Sequence, residues 1–268
     1  MNRPEDIQAR LDNIRQIESI VGTLRALATA HQVEAQTHLE AIRAHEATIA
    51  GALSVALAGD GQANPQMQVA PRLSIVVGAA QGFTGAFADR MAEAARAEAA
   101  QGARLMVVGN RTASALDGLV WSADMAPHAL EVPALASRLA DALFDQIAAS
   151  PGLSVQVLFA DPVPGQPIVC RRIFPFDFSR FPPAMVTPLI TLPPAALLSA
   201  LVTEYVYAEL CEALMLGFAA ENTARAEAMA RAQSNVKRIA ADLRTEFQEA
   251  RKEQMTTEII EVSAAGGL

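Results

Sequence analysis

The sequence is short of lysine, cysteine and aromatic side chains, and each shortage excludes something. Only Lys237 and Lys252 are lysines among 21 basic residues, which face 29 acidic ones, so the formal net charge is −8. A chain this acidic lacks the electrostatic footprint of a general nucleic-acid binder. Cys170 and Cys211 form no CxxC pair and have no histidine at ligand spacing. That argues against a disulfide framework or a structural zinc site and leaves two bystander thiols. No uninterrupted apolar run reaches about 18 residues, so no transmembrane helix is expected. The amino terminus, MNRPEDIQARLDNIRQ, is charged from the start and has no apolar core of a signal peptide.

What is abundant is alanine, 55 of 268 residues, while aromatics make up 5%. Alanine is the best helix former, and its small side chain lets helices approach closely. Helix breakers are placed unevenly. There is no proline between Glu5 and Asn64, and between Ala195 and Ala265 there is no proline and one glycine, Gly217. Nine of the fifteen prolines fall between Pro162 and Pro194. The chain therefore reads as a long helix in residues 1–60, a mixed middle in 70–193 and a second long helix in 194–268.

Both ends carry a coiled-coil seam. Pro4 suits a first helical turn, and Glu5 and Asp6 face the positive end of the helix dipole. Ile7, Leu11, Ile14, Ile17, Val21, Leu24 and Ala28 then step by three and four, and Ala35, Leu39, Ile42 and Ile49 continue the row. In the last helix Val236, Ile239, Leu243, Phe247, Ala250 and Gln254 step the same way. An intervening domain can return the chain, so the two helices are expected to pair antiparallel. The middle has another grammar. The apolar runs 73–77, 104–108 and 153–159 alternate with Ala-rich helical stretches at about 85–100 and 133–148. Strand, helix, strand, helix, strand predicts a mainly parallel sheet with right-handed crossovers, and 168–174 adds an antiparallel edge strand. The expected fold class is α/β, a Rossmann-like domain combined with an antiparallel coiled coil of the terminal helices.

Candidate chemistry is sparse. Gly78, Gly82 and Gly85 follow a strand and open a helix, where a dinucleotide fingerprint would sit, but their spacing is GxxxGxxG. No acidic residue closes the second strand, and the turn is read as close helix–sheet packing. His31, His38 and His45 lie seven apart along one helix face, too far from each other for a shared metal ion. There is no GxSxG elbow and no paired-carboxylate motif. No catalytic, cofactor-binding or metal residue is therefore assigned.

The most specific stretches lie near the carboxyl end. Glu221-Asn222-Thr-Ala-Arg225 with Met229, then Ala250-Arg251 through Thr256, Glu258 and Glu261, resemble the end of the gamma subunit of rotary ATP synthases. Ile7 to Ala30 is similar in spacing to that family's first helix, and Gly82-Phe-Thr-Gly85-Ala-Phe87 stands where the family has its GLCGxF turn. The chain departs from the family in lacking its first-helix lysines and in carrying Met255 where Ile is usual. The resemblance implies a central-stalk rotor, not an enzyme on its own, transmitting torque within a proton- or sodium-translocating ATP synthase. It implies the alpha and beta subunits, the epsilon subunit and the membrane c-ring as partners. It further implies a peripheral place on the cytoplasmic face of the bacterial cell membrane, with no direct membrane insertion. Matched residue by residue, Arg25, Arg225, Arg251, Thr256 and Glu258 are expected to be partner-binding, on solvated helix faces. Two other classes remain open on the residues alone: a nucleotide-dependent enzyme using the middle sheet, and a free-standing coiled-coil adaptor.

Overall fold

In the computed structural model, residues 4–57, 71–150, 152–175 and 192–265 are described, with side chains to residue 263. The proline-rich stretch 176–191 and the last small residues lie outside these. Helix α1 runs Pro4–Leu57, with Glu5 and Asp6 in its first turn, and α5 runs Pro194–Ala265. The chain divides into two compact units, Met1–Leu27 with Ala226–Leu268, and Ala28–Arg225. Both divisions fall inside the two long helices.

The larger unit is built on five strands: β1 (Arg72–Val77), β2 (Ala103–Val108), β3 (Leu119–Ala123), β4 (Ser154–Ala160) and β5 (Ile168–Phe174). Their order is β3-β2-β1-β4-β5, parallel except for the antiparallel β4–β5 edge pair. Helices α2 (Phe87–Ala100), α3 (Asn110–Ala113) and α4 (Val132–Ala149) connect them. Strand β1 alternates as a two-faced central strand must. Leu73, Ile75 and Val77 join one core with α4, α5 and the second half of α1, and Val76 joins the other with α2. The apolar runs and the edge strand were readable in advance. Strand β3 was not, because Leu119–Ala123 is half-exposed and holds no continuous apolar run.

Within this unit α5 is a core helix. Residues 208–223 are buried on every side, as expected of a helix apolar all round. Gly217 explains itself here: a Cβ at that position would overlap Val77 Cγ1 of β1. The single glycine of α5 is therefore the point where helix backbone meets sheet.

The smaller unit pairs the start of α1 with the end of α5. Arg25 Nη1 donates to Gln233 Oε1 at 3.0 Å. Ile7, Leu11, Val21, Met229, Val236 and Ala240 are buried. Only an antiparallel run from the Arg25–Gln233 contact covers Ile7 with residues of the same unit. It brings Val236 level with Gly22 and Phe247 level with Leu11. The buried row of α1 differs from the expected one. It follows Ile7, Leu11, Ile14, Glu18, Val21, Arg25, Ala28, Gln32, Ala35 and Leu39, a four-three repeat in which Arg25 alone is exposed and the expected Leu24 is half-buried beside it. Ile17 is 45% exposed and Ile20 59%, so Ile17 does not belong to it. A heptad seam continues by spacing, and polar residues at 18, 25 and 32 occupy it because position outranks hydrophobicity. In α5 the row is Met229, Gln233, Val236, Ala240, Leu243, Phe247 and Ala250. Gln254, expected to extend it, is exposed. The antiparallel register puts 254 level with Pro4, where α1 begins, so the seam loses its cover there.

Candidate partner-binding site

The glycine turn and the EN-x-x-R stretch of α5 are one structure. Ala80 and Gln81 donate their backbone N–H groups to the Glu221 carboxylate at 3.1 and 3.0 Å. Arg225 donates to the same carboxylate, to Asn222 Oδ1 at 2.7 Å and to the Gly82 carbonyl at 3.4 Å. Asn222 in turn donates to the Phe218 carbonyl at 2.9 Å. The spacing is the reason: residues i, i+1 and i+4 of a helix present Glu221, Asn222 and Arg225 to one neighbourhood. The other side of the turn is held by Thr112, whose Oγ1 accepts from Ala79 N–H at 2.8 Å. At Gly78 a Cβ would overlap the Thr112 side chain, so glycine is required by close approach. Phe83 sits in the left-handed region at φ 63° and is 69% exposed. A bulky residue held there costs energy that this bonded frame sustains.

Two neighbouring backbone amides after a β-strand are what a phosphate would use in a nucleotide fold. Here a carboxylate of the same chain holds both. An incoming anion would have to displace Glu221 and leave Arg225 without its partner.

Arg225 therefore departs from the expectation of a solvated face. It is 8% exposed and belongs to the interior, because the turn offers a carboxylate and a carbonyl that need a cation. The other four residues lie in the helical pair. Arg25 is exposed and occupies a seam position opposite Gln233. Arg251, Thr256 and Glu258 are exposed on the last turns of α5. Thr256 Oγ1 donates to the Lys252 carbonyl at 2.8 Å, and Gln254 donates to Glu258 at 2.9 Å, both within the helix. In the antiparallel register Arg25 and Arg251 are eighteen residues apart, about 27 Å of helix. The structure thus separates the five residues into a buried one, a seam one and an exposed group. Sequence reasoning missed Glu221 and Asn222 as the partners of the turn, although their spacing to Arg225 was visible. It also missed Phe83 as an exposed residue.

From residue 251 to residue 263 every side chain is exposed. Among them are Met255 at 50%, Ile259 at 66%, Ile260 at 62% and Val262 at 73%. Met255, Ile259 and Val262 step by four and three, so they form an apolar stripe beside the charged residues.

A second polar cluster ties β5 to both long helices inside the larger unit. Arg171 pairs with Glu209 at 2.8 Å and with Glu212, and Arg43 pairs with Glu212 at 2.8 Å. Arg171 also lies 5.1 Å from the centre of the Phe159 ring. Burial pushes the Glu212 carboxyl up, but hydrogen bonds from Arg171 and Arg43 outweigh it and hold it below the usual range. Glu46 goes the other way: burial raises it, and the Glu209 and Glu212 charges add to the rise. Burial also pushes the Cys211 thiol up to about 11, so it is overwhelmingly neutral at pH 7 and a poor nucleophile. Every buried side-chain polar atom among the described residues has a hydrogen-bond partner.

The described residues define a class: an α/β sheet unit and an antiparallel helical pair. Their interior polar groups are used in internal contacts, and their apolar and charged residues surface together at one helix end. Comparison with known proteins narrows this class. The family model described as ATP synthase matches residues 3–266. An ATP synthase gamma chain of Methylacidiphilum infernorum (isolate V4) is 34% identical over 117 residues, 40% of each chain. Another from Sulfurovum sp. (strain NBC37-1) is 44% identical over 66 residues, 25% of this chain and 22% of that one. The chain therefore matches less than half the length of either curated relative. In fold it is similar to the rotor of the Euglena gracilis mitochondrial ATP synthase, with TM-score 0.61 and 12% identity over 94% of this chain and 98% of that one. It is also similar to a central stalk/c-ring structure of the Tetrahymena thermophila enzyme, with TM-score 0.56 and 14% identity over 80% and 99%. The chain belongs to the ATP synthase gamma-subunit family.

Proposed function

We propose that this chain is the central-stalk rotor of a rotary ATP synthase, transmitting torque between the membrane c-ring and the catalytic ring of alpha and beta subunits. It is not catalytic on its own, and the enzyme it serves translocates protons or sodium ions. The observation that carries the reading is the exposed end of α5. A helix that is buried through residues 208–223 emerges with all of residues 251–263 exposed, carrying an apolar stripe together with Arg251, Thr256 and Glu258. Apolar side chains grouped in this way mark a surface that a partner covers. A shaft inside a ring needs such a surface, apolar for low friction and interrupted by a few polar groups for directional contact. We assign Arg251, Thr256 and Glu258 to the alpha/beta ring, and Arg25 to the same ring by its exposed guanidinium. Arg225 acts indirectly, by holding the glycine turn. Unequal contacts of one rotor with three identical catalytic sites are what let it favour a different conformation in each.

The rotor sits with epsilon and the c-ring at the cytoplasmic face of the bacterial membrane, peripheral to it. No helix among the described residues is long and apolar enough to cross a membrane. Mass spectrometry of the native complex is the test. The expected result is one copy of this chain per three alpha and three beta subunits, with epsilon and the c-ring. A purified chain carrying none of these subunits would overturn the reading.

A further inference from the structure

The spacing of the histidines along α1 gives them no common ion, but the fold brings a ligand from elsewhere. His31 and Glu34 stand three apart on α1 and so share one face. His128 reaches them from the connection between β3 and α4. The ligand atoms of the three, two imidazole nitrogens and a carboxylate oxygen, all lie within 4.8 Å of one another. The imidazoles meet edge to face, with ring centres 5.7 Å apart and planes at 88°. The Phe218 ring of α5 flanks His31 at 5.7 Å. His31 and Glu34 are half-buried and His128 is exposed, which leaves a path for an ion to enter. The loop carrying His128 is fixed: Met125, Ala126 and Ala129 are buried, and Glu131 N–H donates to the His128 carbonyl at 3.1 Å.

We propose that His31, Glu34 and His128 form a binding site for a divalent transition-metal ion, with zinc as the fitting probe. Two imidazoles and one carboxylate are a borderline-soft set that suits zinc and its neighbours over magnesium or calcium. Zinc takes such ligands at about 2.0–2.2 Å, in tetrahedral positions roughly 3.3 Å apart. Rotation of the exposed His128 side chain closes the remaining gap. Three protein ligands leave a fourth position for water. A bound ion fastens α1 to the loop after β3, because His31 and Glu34 stand on the helix and His128 on the loop.

The test uses the full chain, stripped with a chelator and titrated with zinc by calorimetry. One site of micromolar affinity is expected. Replacing His128 with alanine (His128→Ala) should weaken it at least about tenfold. His45→Ala, which removes a histidine of the same helix paired instead with Glu204, should leave it unchanged. Zinc should raise the Tm of the parent chain and not that of His128→Ala, because an ion bound only to the folded state stabilises it. Cobalt in place of zinc should give the intense visible bands of a tetrahedral site. Because His128 is exposed, its removal leaves the fold intact, which circular dichroism verifies. Equal titrations of the parent chain and His128→Ala would overturn the proposal.

Discussion

Arg225 and Arg251 lie on the same helix, in sequence stretches that both resemble one family, yet their surroundings are opposite. Arg225 is 8% exposed and bonds to Glu221, Asn222 and the Gly82 carbonyl. Arg251 is exposed, at the start of a stretch whose described side chains are all exposed. The difference lies in what stands opposite each. The glycine turn leaves two amides and a carbonyl to be satisfied, and a carboxylate–guanidinium pair does so. The side chains of residues 251–263 are all exposed, and among the described residues none covers them. An arginine in a specific motif therefore says that the site matters, and only its neighbours say whether it holds the fold or meets a partner.

The largest effect that could break this comparison is at Glu221. Replacing it with alanine strips Ala80 and Gln81 of their acceptor and leaves Arg225 buried without its carboxylate. A loss of about 3–5 kcal/mol is expected in urea unfolding of the isolated chain. A loss under about 1 kcal/mol would show that the turn does not depend on α5. Arg225→Ala should follow in the same direction, at about 1–3 kcal/mol.

Next comes the point where α5 meets the sheet. Gly217→Ala places a methyl group against Val77 and should cost about 1–3 kcal/mol. Val77→Ala in the same chain should recover part of that loss. Additive losses in the double variant would mean that the two residues are not in competition for the same space.

The charged cluster around Arg171 adds a pH dependence. The folded Glu212 value lies below the ordinary 4.5, so its contribution is present above that pH and is lost as pH falls through the lower folded value. Glu46, raised above 4.5, has the opposite sign: its contribution is present below 4.5 and is lost as pH rises through the folded value. Urea midpoints measured from about pH 7 to pH 3 should fall on the acid side, and Glu212→Gln should flatten that fall. An unchanged acid limb in the variant would remove Glu212 from the account.

The smallest effect on folding, and the sharpest on function, belongs to the exposed end of α5. Arg251→Ala, Thr256→Ala and Glu258→Ala should each shift the stability of the isolated chain by no more than about 0.5 kcal/mol. In the assembled complex they should lower ATP-driven ion pumping. Unchanged pumping in all three variants would take these residues out of the rotor–stator contact.

Much of the architecture was legible in the sequence because it rests on local periodicity. The proline gaps bounded both long helices, the apolar runs marked β1, β2 and β4, and residues 168–174 were readable as an antiparallel edge. Local pattern failed where a residue's fate depended on a distant neighbour. Strand β3 is too polar to stand out. The seam of α1 accepts Glu18 and Arg25 and excludes Ile17, since its path is set by the helix it faces.

By itself the sequence determined the family, the two terminal helices, the alternation of strands and helices between them, and the absence of a nucleotide fingerprint at Gly78–Gly85. The family rests on the resemblance of its motifs, and the rest follows from spacing and composition along the chain. Tertiary structure decided that Glu221 accepts from the amides of Ala80 and Gln81, that Arg225 turns inward while Arg251 stays outside, that Gly217 marks the contact with β1, and that His128 joins His31 and Glu34. Each of these joins residues about 90 to 140 positions apart in the chain, apart from the uncovered Arg251. The physical reason is that burial and hydrogen bonding are settled by whichever groups meet in space, and no local pattern encodes which groups those are.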